Sequence, residues 1–338
     1  MNKHEKPTIE QWRQILDTAV AIKELTPWEL LWDNDLIMIQ LPEQKEPVFC
    51  CVMGKNGECY GLSFYFGYKA LRSYYRMLEA PEGEPAFISM SVQDCITCYY
   101  GDREELTEEE RGIIKQTGHK FRGRNEWPFF KSMRPGYYPW FINRKEAGLL
   151  IRAAEQFVGA YTAMTEEGIY VDYEADEVLY RHFDAEKDAW VNGIADVPSI
   201  PVDVHKFIIH DELFVARLKS HKKNKSTVEL DLFHVPAPIL ESRNEAPYLP
   251  RMCLLVDSSS GKVYEQNLLE RDTPDTDGVF DILQSYINRF GMPHALRVRD
   301  GRVSDILEDF CAKAGIRLVT EIGCPMIDEF LESFDEFM

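Results

Sequence analysis

An α+β N-terminal domain, a strand-rich middle segment and a compact α/β unit at the C-terminus make up the fold class this sequence predicts. Three observations predict it. Two stretches of helical period, near residues 8–22 and 143–164, bracket several strand-like runs. Residues 168–235 then shift towards strand composition. Residues 252–338 alternate apolar strands with amphipathic helices, the pattern of an α/β layer structure. The expected domains are residues 1–164, 165–250 and 251–338, a division suited to a chain of 338 residues.

The first helix is announced by Thr8 as N-cap. Gln11 completes a capping box, and Ile15, Leu16, Ala19 and Ile22 share one face. Strands are expected at residues 36–41, 48–53 and 58–67, the last two joined by the hairpin sequence Gly54-Lys55-Asn56-Gly57. Residues 68–78 read as a helix, and 86–92 and 95–100 as two further strands. Thr107 and Glu110 form a second capping box. Asn143 opens the longest helix, which reaches about Met164 with Leu149, Leu150, Ala153, Phe157, Val158 and Tyr161 as its buried stripe. Residues 212–219 alternate like a strand into the basic tip His221-Lys222-Lys223-Asn224-Lys225 and return at 227–235. The middle strands are expected to extend the C-terminal sheet. The loop 236–250, with four prolines, is the expected linker. Residues 252–257 then start the last unit as its first strand, with 262–269 as the second and helix, strand, helix, strand and helix following.

Composition restricts the function classes. A hydrophobic fraction of 45% and a charged fraction of 28% are those of an ordinary globular protein. The net charge of −19 repels phosphate backbones wherever positive charge is not concentrated. Residues 251–338 offer no rescue, with 17 acidic against 9 basic side chains and a net of −8. The polar N-terminus has no leader-like core, and no apolar run approaches the ~18 residues of a membrane span. A soluble, cytoplasmic chain is expected. The eight scattered cysteines read as buried free thiols. No Walker, GxGxxG, GxSxG or HExxH sequence is present, which removes the common nucleotide-binding, hydrolase and metalloprotease classes.

The segment FGMPHALRVRDGRVSDILEDFCAKAGIRLV, residues 290–319, resembles the core of retroviral-type integrases and transposases of the RNase H-like fold. That resemblance implies an Asp on the first strand, an Asp after the fourth and a Glu on the last helix. Asp257, Asp300 and Glu329 or Glu332 fall roughly there, and Asp328 is a further candidate on that helix. Were they to converge, they would hold Mg²⁺ or Mn²⁺ for a nuclease or strand transferase.

Each residue also has a plainer role. Asp257 opens a turn with Ser258, Ser259 and Ser260, and Asp300 can cap a helix. Ile327, Phe330, Leu331 and Phe334 form the apolar face of the final helix, which turns Glu329, Glu332 and Glu336 towards water. Asp328 and Asp335 flank that stripe. The resemblance also implies three strands before the first helix, and residues 270–277 are too short and polar to supply the third. A non-catalytic binding or scaffold protein with a degenerate site is the expected function. The metal-dependent nuclease or transferase is the alternative, and a small-molecule or nucleotide-sensing module is a third reading.

The stretches PWELLWDNDL (27–36), VMGKNGECYGLSFYFG (52–67), FRGRNEWPFFKSMRPGYYPW (121–140) and PRMCLLVDSSSGKVYEQ (250–266) together resemble a bacterial two-part family. Both of its domains are of unknown function, so the resemblance implies no activity.

Residues 113–145 carry eight basic side chains against the single acid Glu126, interleaved with eight aromatics. Arg122, Arg124, Trp127, Lys131, Arg134 and Tyr137 are the candidate binding residues of what reads as a long loop. Guanidinium groups beside aromatic faces suit a nucleotide, nucleic acid or an acidic peptide. Internal packing as a clamp is the competing reading. Cys95 and Cys98 form a CxxC within a strand, where residues three apart face opposite sides, an arrangement unsuited to zinc. His205, His210 and His234 lie on expected strands without a spaced partner and read as structural.

Overall fold

The computed structural model describes residues 5–80, 86–200, 207–242, 245–299 and 301–335. In chain order its elements begin with α1 (Ile9–Leu25), β1 (Ile37–Gln40), β2 (Val48–Met53), β3 (Gly61–Phe66), α2 (Tyr68–Leu78) and α3 (Ala86–Ser91). Next come β4 (Cys95–Gly101), α4 (Glu108–Thr117), β5 (Trp127–Met133), α5 (Arg144–Glu166), β6 (Glu177–Asp184) and β7 (Ala189–Asp196). Then follow α6 (Glu212–Lys219), β8 (Thr227–His234), β9 (Arg251–Asp257) and β10 (Val263–Leu269). The last are α7 (Asp275–Phe290), β11 (Ala295–Arg299), α8 (Arg302–Ala314), β12 (Arg317–Glu321) and α9 (Pro325–Asp335). No helix among the described residues is long and apolar enough to cross a membrane.

The chain divides into two compact units. The first comprises Met1–Leu78, Val92–Ile200 and Leu240–Pro247. Its mixed sheet has the order β5-β4-β3-β2-β1-β6-β7, with β1 and β6 parallel and the other neighbours antiparallel. One face carries α1 and α5 over a core of Leu16, Ile39, Val52, Phe64 and Phe157. The other carries α2 over Phe49, Tyr65, Leu71 and Tyr74. The two expected capping boxes, at Thr8 and Thr107, are present, and Asn143, expected to open the longest helix, forms a third with Glu146.

The second unit comprises Glu79–Ser91, Pro201–Ile239 and Tyr248–Met338. Its mixed sheet runs β10-β9-β8-β11-β12, with β9 antiparallel to both neighbours and β8, β11 and β12 parallel. Helices α6, α7 and α8 cover one face around Leu230, Leu255, Ile287 and Phe310. Helix α9 covers the other, burying Ile327 and Leu331 against Phe233, Leu254 and Val256. Phe330 is only half-buried there, short of the full burial expected of it.

Several expectations are corrected. Residues 86–91 form α3, not a strand; a six-residue apolar run does not distinguish the two by periodicity. Residues 212–219 form α6: Asp211 accepts the Phe214 N–H at 2.8 Å, and Val215 and Leu218, three apart, are buried while Leu213 is exposed. The basic segment is not all loop. Within it β5 alternates half-buried and buried residues, and Pro128 is tolerated because β5 is an edge strand. Of the middle strands only β8 enters the C-terminal sheet; β6 and β7 complete the first one. Residues 251–257 are therefore the second strand of their sheet, and β8 is the first.

Candidate functional site

The alternation of β8, Thr-Val-Glu-Leu-Asp-Leu-Phe-His, turns Glu229, Asp231 and Phe233 to the face that α9 covers. Neighbouring β11 does the same with bases. Arg297 stands opposite Glu229 in the parallel register, and Arg299 lies two residues further on. Acid and base are thus stacked as two rungs on one sheet face.

In the first rung Arg297 Nη1 donates to Glu229 Oε1 at 3.0 Å, while its Nε lies 3.3 Å from Glu321 Oε2 of β12. The Glu229 side chain has no exposure. Its Oε2 accepts the N–H groups of Met326 (2.9 Å) and Ile327 (3.3 Å), so a strand carboxylate satisfies the first turn of α9. Burial pushes the Glu229 carboxyl up against the pull of these donors.

In the second rung Arg299 Nε donates to Asp231 Oδ2 at 3.0 Å and Nη2 donates to Asp328 Oδ1 at 2.5 Å. The remaining oxygens are also engaged. Asp231 Oδ1 accepts the Leu232 N–H at 2.8 Å, and Asp328 Oδ2 accepts the Cys324 N–H at 3.0 Å. Burial opposes charge on Arg299, but Asp231 and Asp328 more than offset it and hold the guanidinium above its ordinary range. Two carboxylates and one guanidinium are therefore locked together, with the Asp231 side chain only 4% exposed.

Of the expected carboxylates, only Asp328 enters this site. Asp257 ends β9 opposite Val228, three positions along β8 from Asp231. Its Oδ1 accepts from the N–H and hydroxyl groups of both Ser259 and Ser260, between 2.6 and 3.1 Å, and Tyr264 donates to Oδ2 at 3.2 Å. The serine hydroxyl and amide donors hold its carboxyl down at about 2. Glu332 is exposed. Asp300, like His205 and Glu336, lies outside the described residues. Among the described residues no group of three or more His, Cys, Asp or Glu side chains could hold a metal ion.

Glu229, Asp231, Arg297 and Arg299 were not singled out by sequence. The signal was there: ELD between apolar residues of one strand matches RVR in another. Nothing in sequence said that the two strands are neighbours.

On the opposite face, at the end of β8, His234 lies near Arg251, Asp275 and Arg302. Asp275 is buried and ion-paired to both arginines. Burial, followed by repulsion from Arg251 and Arg302, lowers the His234 imidazole to about 4.

In the first unit the basic segment is partly spoken for. Lys131 Nζ bonds Glu110 Oε1 at 2.7 Å, with a Glu110 side chain 7% exposed, and lies over the rings of Phe129 and Phe141. Arg134 stacks on Tyr137, 5.0 Å from guanidinium carbon to ring centre. Trp127 is half-buried, edge-on to Phe121. Arg122 is exposed, and Arg124, also exposed, reaches Asp102 only at 3.8 Å. Cys95 and Cys98 belong to the cores on opposite faces of the sheet, and burial pushes their thiols up to about 11 and about 12.

Residues 12–181 match the model of a domain of unknown function, DUF7309, and residues 215–335 that of another, DUF6930. No curated protein matches the chain. Solved structures with partial likeness include a chain of the simian T-cell lymphotropic virus intasome in complex with the PP2A regulatory subunit B56 gamma. It is 21% identical over 35% of this chain and 42% of that one, with a TM-score of 0.24. The HTLV-2 integrase catalytic core domain in complex with magnesium is 16% identical over 31% of this chain and 64% of that one, TM-score 0.23. The catalytic core domain of BIV integrase is 18% identical over 33% and 66%, TM-score 0.24. The chain spans less than two thirds of the length of each. Likeness of this degree says nothing of activity.

Proposed function

This chain belongs to the DUF7309 family, and from that premise we propose that it is a non-catalytic binding or scaffold protein whose second unit is a degenerate RNase H-like domain. The strand order supports the domain reading. With β8 as first strand, three strands precede α7, two parallel strands follow, and α9 is the last helix. The expected positions for the three acids then become Asp231 on the first strand, Asp300 after the fourth and Asp328 on the last helix.

The observation that carries the non-catalytic reading is Arg299. Two-metal chemistry needs carboxylate oxygens free to bind cations ~3.5–4 Å apart. Here a guanidinium already bridges Asp231 and Asp328, and all four of their oxygens accept hydrogen bonds. A divalent ion would have to strip those bonds and sit beside a like charge, so the residues of the site do not fit one. The acidic surface of the unit, net −8 over residues 251–338, supports the same reading. Partner binding we assign to the first unit, where Arg122 and Arg124 remain open to an oxyanion.

The test is incubation of the purified protein with single- and double-stranded DNA and RNA in Mg²⁺ or Mn²⁺. Intact substrates are expected. Cleavage that disappears in Asp231→Asn or Asp328→Asn would overturn the reading in favour of a metal-dependent nuclease.

A further inference from the structure

Among the described residues Arg181 has no carboxylate partner, in a protein that carries 57 acidic residues. It lies half-buried on β6, where its neighbours are neutral. Its Nε donates to Gln156 Oε1 of α5 at 3.0 Å and its Nη1 to Asn192 Oδ1 of β7 at 2.8 Å. Trp190 of β7 lies beneath it, 5.4 Å from guanidinium carbon to ring centre. The other wall is Gly159 of α5: a Cβ there would come within 2.6 Å of Arg181 Nη2 and would push the fork from this position. Glu167, at the end of α5, acts on it only through its field.

The arrangement is positioned but not neutralised. Two amide oxygens and an indole fix the plane of the guanidinium and consume two of its five N–H groups, leaving the rest without a protein acceptor among the described residues. Gln156 and Asn192 supply neutral oxygens where the isosteric Glu and Asp would supply charge. β7 is an edge strand, and Trp190, Asn192 and Ile194 line its same face, with Ile194 48% exposed.

We propose that Arg181 anchors a binding site on the β6–β7 face for a small-molecule oxyanion, a planar carboxylate attached to an aromatic or aliphatic body. The free N–H groups would hold the two oxygens in the fork geometry that suits carboxylates. Trp190 and Ile194 would receive the apolar body. Gln156, Asn192 and Gly159 are positioning residues, since they act through Arg181. The site is independent of the carboxylate–arginine site of the second unit and stands or falls without it.

The experiment titrates the full-length protein with sodium benzoate, and separately with inorganic phosphate, reading Trp190 by NMR and affinity by calorimetry. Wild type is expected to bind benzoate saturably, with phosphate weaker because it lacks the apolar body. Arg181→Gln is expected to weaken binding at least about tenfold, the effect of losing a charge-assisted pair. Asn192→Asp is the second variant, because it supplies Arg181 with an internal carboxylate and leaves the fold intact. It is expected to abolish binding while raising the melting temperature. Saturable binding unchanged in both variants would overturn the proposal. So would an absence of benzoate binding by the wild type at tens of millimolar (about 2–3 kcal/mol of affinity), which would leave Arg181 as a strut between α5 and β7.

Discussion

Arg299 Nε donates to Asp231 Oδ2 across 3.0 Å, tying the parallel neighbours β11 and β8 through a carboxylate held almost wholly out of water. Asp328 closes the same guanidinium from α9. A buried pair of this kind adds little net stability, since desolvation offsets most of the Coulomb gain, yet removing one member leaves an uncompensated charge. The consequence is an asymmetry that mutants can expose.

Arg299→Gln is expected to destabilise the protein by about 3–5 kcal/mol, because Asp231 loses its cation while remaining buried. The double variant Arg299→Met, Asp231→Leu is expected to recover most of that loss. Urea unfolding of the three proteins checks it. A single variant as stable as wild type would show that the pair is not desolvated as the structure has it.

Helix α9 docks by Ile327 and Leu331, both buried, rather than by its half-buried Phe330. Ile327→Ala is expected to cost about 2–5 kcal/mol, transfer and cavity together. Glu332→Gln, on an exposed side chain, should stay within about 0.5 kcal/mol of wild type. Thermal melts of both variants decide the matter, and equal effects would mean that the helix is rotated from its described setting.

His234 gives the second unit a pH dependence of definite sign. Its folded-state value of about 4 lies below the ordinary 6.5, so the unfolded chain takes up a proton that the fold refuses. Stability should therefore fall as pH drops from 6.5 towards 4 and lose nothing further from this group below that. A shift of that size corresponds to roughly 3 kcal/mol at most, reduced by the partial exposure of the ring. Denaturant unfolding at pH 7 and pH 4.5 should show a larger drop in wild type than in His234→Gln. Identical drops would locate the acid sensitivity elsewhere.

In the basic segment, stability and binding are expected to separate. Lys131→Ala should cost about 3 kcal/mol or more, since it strands the buried Glu110. Arg122→Ala with Arg124→Ala should leave stability within about 0.5 kcal/mol, because both side chains are solvated. If these arginines contact an oligonucleotide, its affinity should fall by ~0.7–0.9 log units per contact for each log unit of salt, and the double variant should flatten that slope. No binding by wild type at low salt would leave the segment only its internal contacts.

What sequence determined here is local. Capping boxes at Thr8 and Thr107, the helix start at Asn143, the Gly54–Gly57 turn and the apolar stripe of α5 were legible because each is set within a few residues. The turn held by Asp257 belongs to the same class. Short runs such as residues 86–91 and 212–219 were misread because their length fits either period, and tertiary packing chooses between them. Strand partnership was decided only in three dimensions. That β6 joins β1, and that β8 rather than β9 begins the second sheet, depends on pairings across scores of residues which no local pattern encodes. The candidate site follows from that last pairing. Glu229 and Asp231 are 68 residues from Arg297 and Arg299, and only the register of β8 against β11 turns two ordinary alternations into paired charges, the acids buried and the arginines half-buried.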